Sequence, residues 1–327
     1  MVLMFSRLGD AKTNRGVLAI VAATALALTG CGGPADQSDV IDVVAAVYPY
    51  AYVAREILGS HGQVTDLSAN AGDAHDVELS PKQVAALKDA DLVVHQTGFQ
   101  AAIDETIEKN KPKRVVDVTT LVDFIEFDDH SDHGHEAGHD HEKHENGKDG
   151  HSHAGKDPHV WLDIEQLRKV GVEVNQQLGE LYPAYKADFD ANAKALDEKL
   201  AKLDADMTNG LKSCEIDHVI VNHGAFGYLG YRYGFHQVGI SGLEPDVEPS
   251  PAQIERASQA AKQYGVNTIF YETGVSDRVA KSIAKDLGLK ARVLDPLEAL
   301  SSKAKDANYE TIMRQNLKEL REANQCH

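Results

Sequence analysis

From Val40 onward the chain alternates short apolar runs with helix-forming stretches, and that alternation restricts the fold more than any other feature. Val40 to Val47, Leu92 to His95 and Val115 to Val118 read as strands, separated by helical segments at Tyr52 to Leu58, Pro81 to Lys88 and Ala101 to Lys109. Strand, helix, strand is the grammar of parallel sheets with helical crossovers. The same order returns after Cys214, with strands at His218 to Asn222, His236 to Ile240, Thr268 to Tyr271 and Arg292 to Leu294 and helices at Pro251 to Tyr264 and Ser276 to Leu287. The expected fold is α/β, in two lobes, each a mostly parallel sheet flanked by helices.

Between the lobes, Tyr185, Phe189, Ala193, Leu196, Leu200, Leu203 and Met207 recur every three or four residues, the spacing of an amphipathic helix. It is expected to run from Pro183 to about Leu211 as a rigid connector that resists hinge bending; the alternative is two helices broken near Asn209-Gly210. The expected organisation is thus a lobe at 40–181, a linking helix at 182–212 and a second lobe at 213–327. One stretch inside the first lobe, 128–156, does not fit. It carries His130, His133, His135, His139, His141, His144, His151 and His153 among acids and glycines, with no apolar periodicity. Such a tract cannot bury enough surface to fold alone, and its composition points to a weak metal-binding loop. A plain solvated linker is the alternative.

The first thirty residues read as an address. Arg7, Lys12 and Arg15 precede an apolar run, Val17 to Leu28, that is too short to span a bilayer but suits a secretory signal. Leu28-Thr29-Gly30-Cys31 resembles a bacterial lipoprotein signal, so that Cys31 would be lipidated and residues 31–39 would form a tether. An ordinary cleaved signal is the alternative. An exported chain meets an oxidising compartment, where Cys214 and Cys326 are expected to pair; two reduced thiols acting as a soft metal site would be the other outcome. The formal charge of −18 argues against a nucleic-acid partner.

Four side chains stand where strands or ordered loops end. His75 lies in Asn70-Ala71-Gly72-Asp73-Ala74-His75-Asp76, His159 in Asp157-Pro158-His159-Val160-Trp161, His223 after the strand at His218, and Asp295 in Leu294-Asp295-Pro296-Leu297. Ligands of open α/β sheets bind beyond the carboxyl ends of strands, so the four can converge on one cleft. Three imidazoles and a carboxylate form a set that tetrahedral zinc accepts. Glu272, at the end of a strand, is expected to accept a hydrogen bond from one ligand imidazole and so orient it. His95, His218 and His236 are expected to be structural.

These stretches, with Asn222-His223-Gly224-Ala225-Phe226-Gly227-Tyr228, Tyr233-Gly234 and Glu248-Pro249-Ser250, resemble the zinc and manganese solute-binding lipoproteins of bacterial ABC importers over about residues 38 to 325. The resemblance implies two lobes joined by one long helix, a metal between them, and delivery to an ABC permease by a membrane-anchored monomer. It puts the metal ligands on His75, His159, His223 and Asp295. The His-rich insertion, and His223 where manganese members usually carry glutamate, resemble the zinc branch. One departure is Ala74, where the family normally has proline; in a looser loop Asp73, Asp76 or Glu78 could replace or supplement His75.

A fourth protein donor closes the shell that a catalytic zinc leaves open, and the chain has no Gly-x-Ser-x-Gly elbow or Gly-rich phosphate loop. The expectation is a zinc carrier, not an enzyme, holding Zn2+ as cargo. A manganese carrier, a metal buffer or adhesin without transport, and an exported zinc hydrolase are the alternatives.

Overall fold

The strands pair into two separate four-stranded sheets, and every pairing is parallel. This arrangement is seen in a computed structural model, which describes residues 40–69, 71, 73–126, 155–243, 248–273, 277–300 and 307–327. The leader at 1–30, Cys31, the tether and all eight histidines from 130 to 153 lie outside the described residues.

The chain runs β1 (Ile41–Ala45), α1 (Tyr48–Leu58), β2 (Gly62–Asp66), α2 (Pro81–Asp89), β3 (Leu92–His95), α3 (Ala101–Asn110), β4 (Val115–Asp117), α4 (Ile164–Leu181) and α5 (Lys186–Leu211). It continues through β5 (His218–Val221), α6 (Gly227–Tyr233), β6 (His236–Gly239), α7 (Pro251–Tyr264), β7 (Thr268–Tyr271), α8 (Arg278–Leu287), β8 (Lys290–Val293) and α9 (Tyr309–Ala323). The first sheet has the order β2-β1-β3-β4 and the second β6-β5-β7-β8. Both therefore reverse direction at the same place, between β1 and β3 and between β5 and β7.

Local chemistry sets the helix starts. Ser80 and Ser250 each close a capping box with a glutamine three residues on, ahead of Pro81 and Pro251. The Asp163 side chain caps α4 by accepting from the Glu165 amide. The central strands are Val- and Ile-rich and buried, and successive residues face opposite sides. Val43 and Ala45 enter the main core while Val44 joins a satellite cluster with Leu67, Leu87 and Ile103. In the second sheet Val219 and Val221 share that main core while Ile220 packs with Ile240, Ile269 and Ile283.

The connector is one helix. After a 3-10 turn at Pro183–Tyr185, α5 spans 26 residues, roughly 39 Å at 1.5 Å per residue. Phe189, Leu196, Leu200, Leu203, Met207 and Leu211 are its buried stripe, against α1, α4 and α9. It does not break at Gly210. A Cβ there would come within 2.7 Å of Leu317 Cδ1 on α9, so the glycine is a close-approach point. Beyond α5, Cys214 and Cys326 form a disulfide across 112 residues of sequence.

Candidate metal centre

The loops after β2, β5 and β8, together with the turn that leads into α4, meet at one buried point. His75, His159, His223 and Glu298 each offer one donor atom there, all within 4.8 Å of one another. His75, His159 and His223 are 2%, 0% and 1% exposed, and Glu298 7%. The Nε2 atoms of His159 and His75 are 3.3 Å apart. Glu298 Oε1 lies 3.5 Å from His75 Nε2, 3.1 Å from His159 Nε2 and 3.2 Å from His223 Nε2. Zinc bonds of about 2.0–2.2 Å in a tetrahedron separate donors by roughly 3.3 Å. The His75–His159 edge and the three edges to Glu298 bracket that value, and the remaining donor pairs lie within 4.8 Å, so the donor set suits a zinc ion.

The outer nitrogens fix two of the rings. His159 Nδ1 lies 2.8 Å from Asp157 Oδ1, and His223 Nδ1 lies 2.6 Å from Glu272 Oε1. Carboxylates accept there, so in the neutral ring each Nδ1 carries the proton and each Nε2 lone pair faces the centre. Asp157 Oδ1 also accepts from the His159 backbone N–H at 2.9 Å, which ties ring and main chain to one carboxylate.

The loop between β3 and α3 supports both ligands that belong with the first sheet. Gln96 accepts from the Tyr50 hydroxyl at 2.6 Å and donates to the Pro158 carbonyl at 2.9 Å. Gln100 Nε2 donates to the Ala74 carbonyl at 2.6 Å. Phe99 sets its ring edge-on to His75, with centroids 4.9 Å apart. Asp73 Oδ1 accepts from the His75 backbone N–H at 2.7 Å.

Charge follows from this packing. Burial alone would lower the imidazole pKa of His159 and His223, but the carboxylates outweigh it. Asp157 and Glu298 raise His159 above its usual value, and Glu272 and Glu298 raise His223 well above it. Burial would raise Glu298; the three imidazoles instead hold it well below the ordinary carboxylate range.

The structure corrects one assignment made from sequence. Asp295 is not in the cluster. Its carboxylate accepts from Thr273 Oγ1 and, at 2.8 Å, from the Leu297 N–H, and burial, which outweighs both bonds, pushes it up to about 6. The physical reason is a turn. Leu297 takes φ 59°, a left-handed conformation, and so swings the next residue, Glu298, inward. The carboxylate that completes the set lies three residues beyond the expected one. Asp73 serves the loop as a cap, and Asp76 and Glu78 are exposed. Glu272 stands against His223 Nδ1, as expected.

The remaining histidines lie elsewhere. His95 is buried beside Asp104, His218 is bound to Asp217 and stacked on Tyr264, and His236 is exposed at the start of β6. His218 and His236 pair at the amino ends of β5 and β6, opposite the end that carries His223. Sequence reasoning missed Glu298, Asp157, Gln96 and Gln100. Only Asp157 and Glu298 left a signal, as acids two and three residues from chosen positions.

Comparison with known proteins gives a consistent picture. The family model described as zinc-uptake complex component A, periplasmic, matches residues 43–323. The zinc-binding protein AdcA of Streptococcus pyogenes is 35% identical over 286 residues, covering 86% of this chain and 55% of its own. The chain thus spans about half the length of that relative. The high-affinity zinc uptake system protein ZnuA of Bacillus subtilis is 34% identical over 317 residues, covering 94% of this chain and 96% of its own. Among solved structures, the Zn(II)-bound ZnuA-like domain of Streptococcus pneumoniae AdcA superposes with a TM-score of 0.70 at 28% identity, covering 87% of this chain and 99% of that one.

Proposed function

The chain belongs to the periplasmic zinc-uptake component A family, and from that premise we propose that it is the zinc-binding component of an ABC importer. It captures Zn2+ outside the cytoplasmic membrane and hands it to a permease. The observation that carries this reading is the buried group of three imidazole nitrogens and one carboxylate oxygen, all within 4.8 Å of one another, with the carboxylate oxygen 3.1–3.5 Å from each nitrogen. His75, His159, His223 and Glu298 hold the ion as cargo. Four protein donors leave no position for the water that a catalytic zinc keeps, which favours carriage over hydrolysis. Three nitrogen donors to one oxygen favour zinc over manganese.

Capture needs neutral imidazoles with their Nε2 lone pairs aimed inward. Asp157 and Glu272 set that direction by accepting hydrogen bonds from Nδ1–H of His159 and His223, and because the same carboxylates favour the protonated ring, zinc must displace a proton. The shell draws its donors from loops that follow strands of both sheets and from the turn before α4, and α5 runs unbroken through the same scaffold. In this reading Cys31 carries the lipid, residues 31–39 tether the domain, the protein acts as a monomer, and the histidines from 130 to 153 bind zinc weakly.

Titration of the metal-free mature protein against a chromophoric zinc chelator is expected to reveal one tight equivalent. Deleting residues 130–153 is expected to remove only weaker equivalents. Absence of a tight equivalent would overturn the proposal. Impaired growth of a gene deletion under zinc limitation would separate a carrier from a buffer.

A further inference from the structure

The peptide unit between Pro296 and Leu297 is gripped on both sides. Its carbonyl accepts from Trp161 Nε1–H at 2.8 Å, and its N–H donates to Asp295 Oδ1 at 2.8 Å. That unit determines the rotation about the Leu297 N–Cα bond, which stands at φ 59°. A leucine there is strained and returns to negative φ unless neighbours hold it. Glu298 follows directly, so the direction of its carboxylate depends on the grip.

Asp295 belongs to the same loop, whereas Trp161 comes from the other side of the site. It lies two residues after His159 and is fully buried. Its own position is over-determined. The Tyr309 hydroxyl donates to its carbonyl at 2.7 Å, and the rings of Tyr50, Phe99 and His159 surround its indole at centroid distances of 6.0, 5.5 and 5.5 Å. A second strand of contact runs beside it, the Tyr48 N–H to the Glu298 carbonyl at 3.4 Å.

We infer that Trp161 is the positioning residue for Glu298, its indole N–H holding the strained turn from across the site so that the carboxylate meets the three imidazoles. This rests on the zinc-carrier reading. The role is reciprocal: if the indole bond favours zinc, zinc must strengthen the indole bond by the same factor.

Two measurements test it. Trp161→Phe keeps an aromatic ring, removes the donor and leaves a buried carbonyl unpaired, for which roughly a 10- to 100-fold loss of zinc affinity is expected. The Co2+ form of the variant should lose the intense visible bands of a four-donor tetrahedral site. A variant that melts lower but binds zinc like the parent and keeps that cobalt spectrum would overturn the inference. Should the variant not fold, the unmodified protein still decides, because it contains a single tryptophan. Its one indole N–H resonance is expected to exchange with solvent more slowly once zinc is bound, and exchange indifferent to zinc would overturn the inference. If the unmodified protein takes no zinc tightly, the carrier reading itself fails.

Discussion

Gln100 donates from Nε2 to the carbonyl of Ala74 at 2.6 Å, one residue before His75. The same nitrogen lies 3.5 Å from the Ala46 carbonyl, so one buried amide ties the His75 loop to the end of β1. Without a proline at position 74, this amide and the Asp73 cap restrain the loop. Gln100→Met preserves length but not the donor. It should weaken zinc binding roughly 10- to 100-fold, the usual range for groups that orient ligands, with faster zinc release in stopped-flow exchange against a chelator. Unchanged release would show that the loop is held by other means.

The two carboxylates after β8 separate by substitution. Glu298→Gln removes a donor and should cost more than about 100-fold in zinc affinity, beyond the range for outer partners. Asp295→Asn retains an Oδ1 acceptor for the Leu297 N–H, and affinity should stay within about tenfold of the parent. Chelator competition on both variants checks the order; a greater loss at Asp295 would restore it as a ligand.

Protons compete with zinc for the imidazoles, and the carboxylates strengthen the competitor. Because His159 and His223 lie above the ordinary 6.5, apparent affinity should begin to fall above pH 6.5 and continue downward. The metal-free fold responds with the opposite sign. The raised imidazoles add stability that is complete below about 6.5 and lost as pH rises through their folded values. Glu298 adds stability present above about 4.5 and lost as pH falls through its depressed value. The rise in melting temperature on adding zinc should therefore grow from pH 6 toward pH 8, near the ordinary histidine range and above it. An increment flat across that range would contradict the protonation scheme.

The Cys214–Cys326 disulfide closes 112 residues at the amino ends of the second sheet's strands, away from the metal centre. Replacing both cysteines by alanine should cost ~2–5 kcal/mol of stability, read as a lower denaturant midpoint, while leaving the tight zinc equivalent in place. Loss of that equivalent in a folded variant would tie the bridge to the site.

Much of this was legible in the residues because parallel strands buried on both faces announce themselves as Val and Ile runs. β2 does not: Gly62-Gln63-Val64-Thr65-Asp66 is an edge strand with one apolar residue and half-exposed faces. His159 was legible beside Pro158 and His223 at a strand end, whereas His75 stood out only as a histidine in the ordered loop ahead of the helix at Pro81. Glu298 was not, because choosing it over Asp295 requires the left-handed turn at Leu297, and a leucine, unlike glycine or asparagine, gives no notice of that conformation. Gln96 and Gln100 were hidden for a related reason: a loop amide looks the same in sequence whether or not a carbonyl lies opposite.

The helix α9 reaches back to the centre from the far end of the chain. Asn316 donates to the Asp295 carbonyl at 2.7 Å and accepts from the Asp295 N–H at 2.9 Å, while Tyr309 clasps Trp161. A polypeptide emerging amino end first thus displays His75, His159 and His223 long before the clasp that braces the fourth donor exists. Until α9 docks, the three rings form an incomplete and weaker trap.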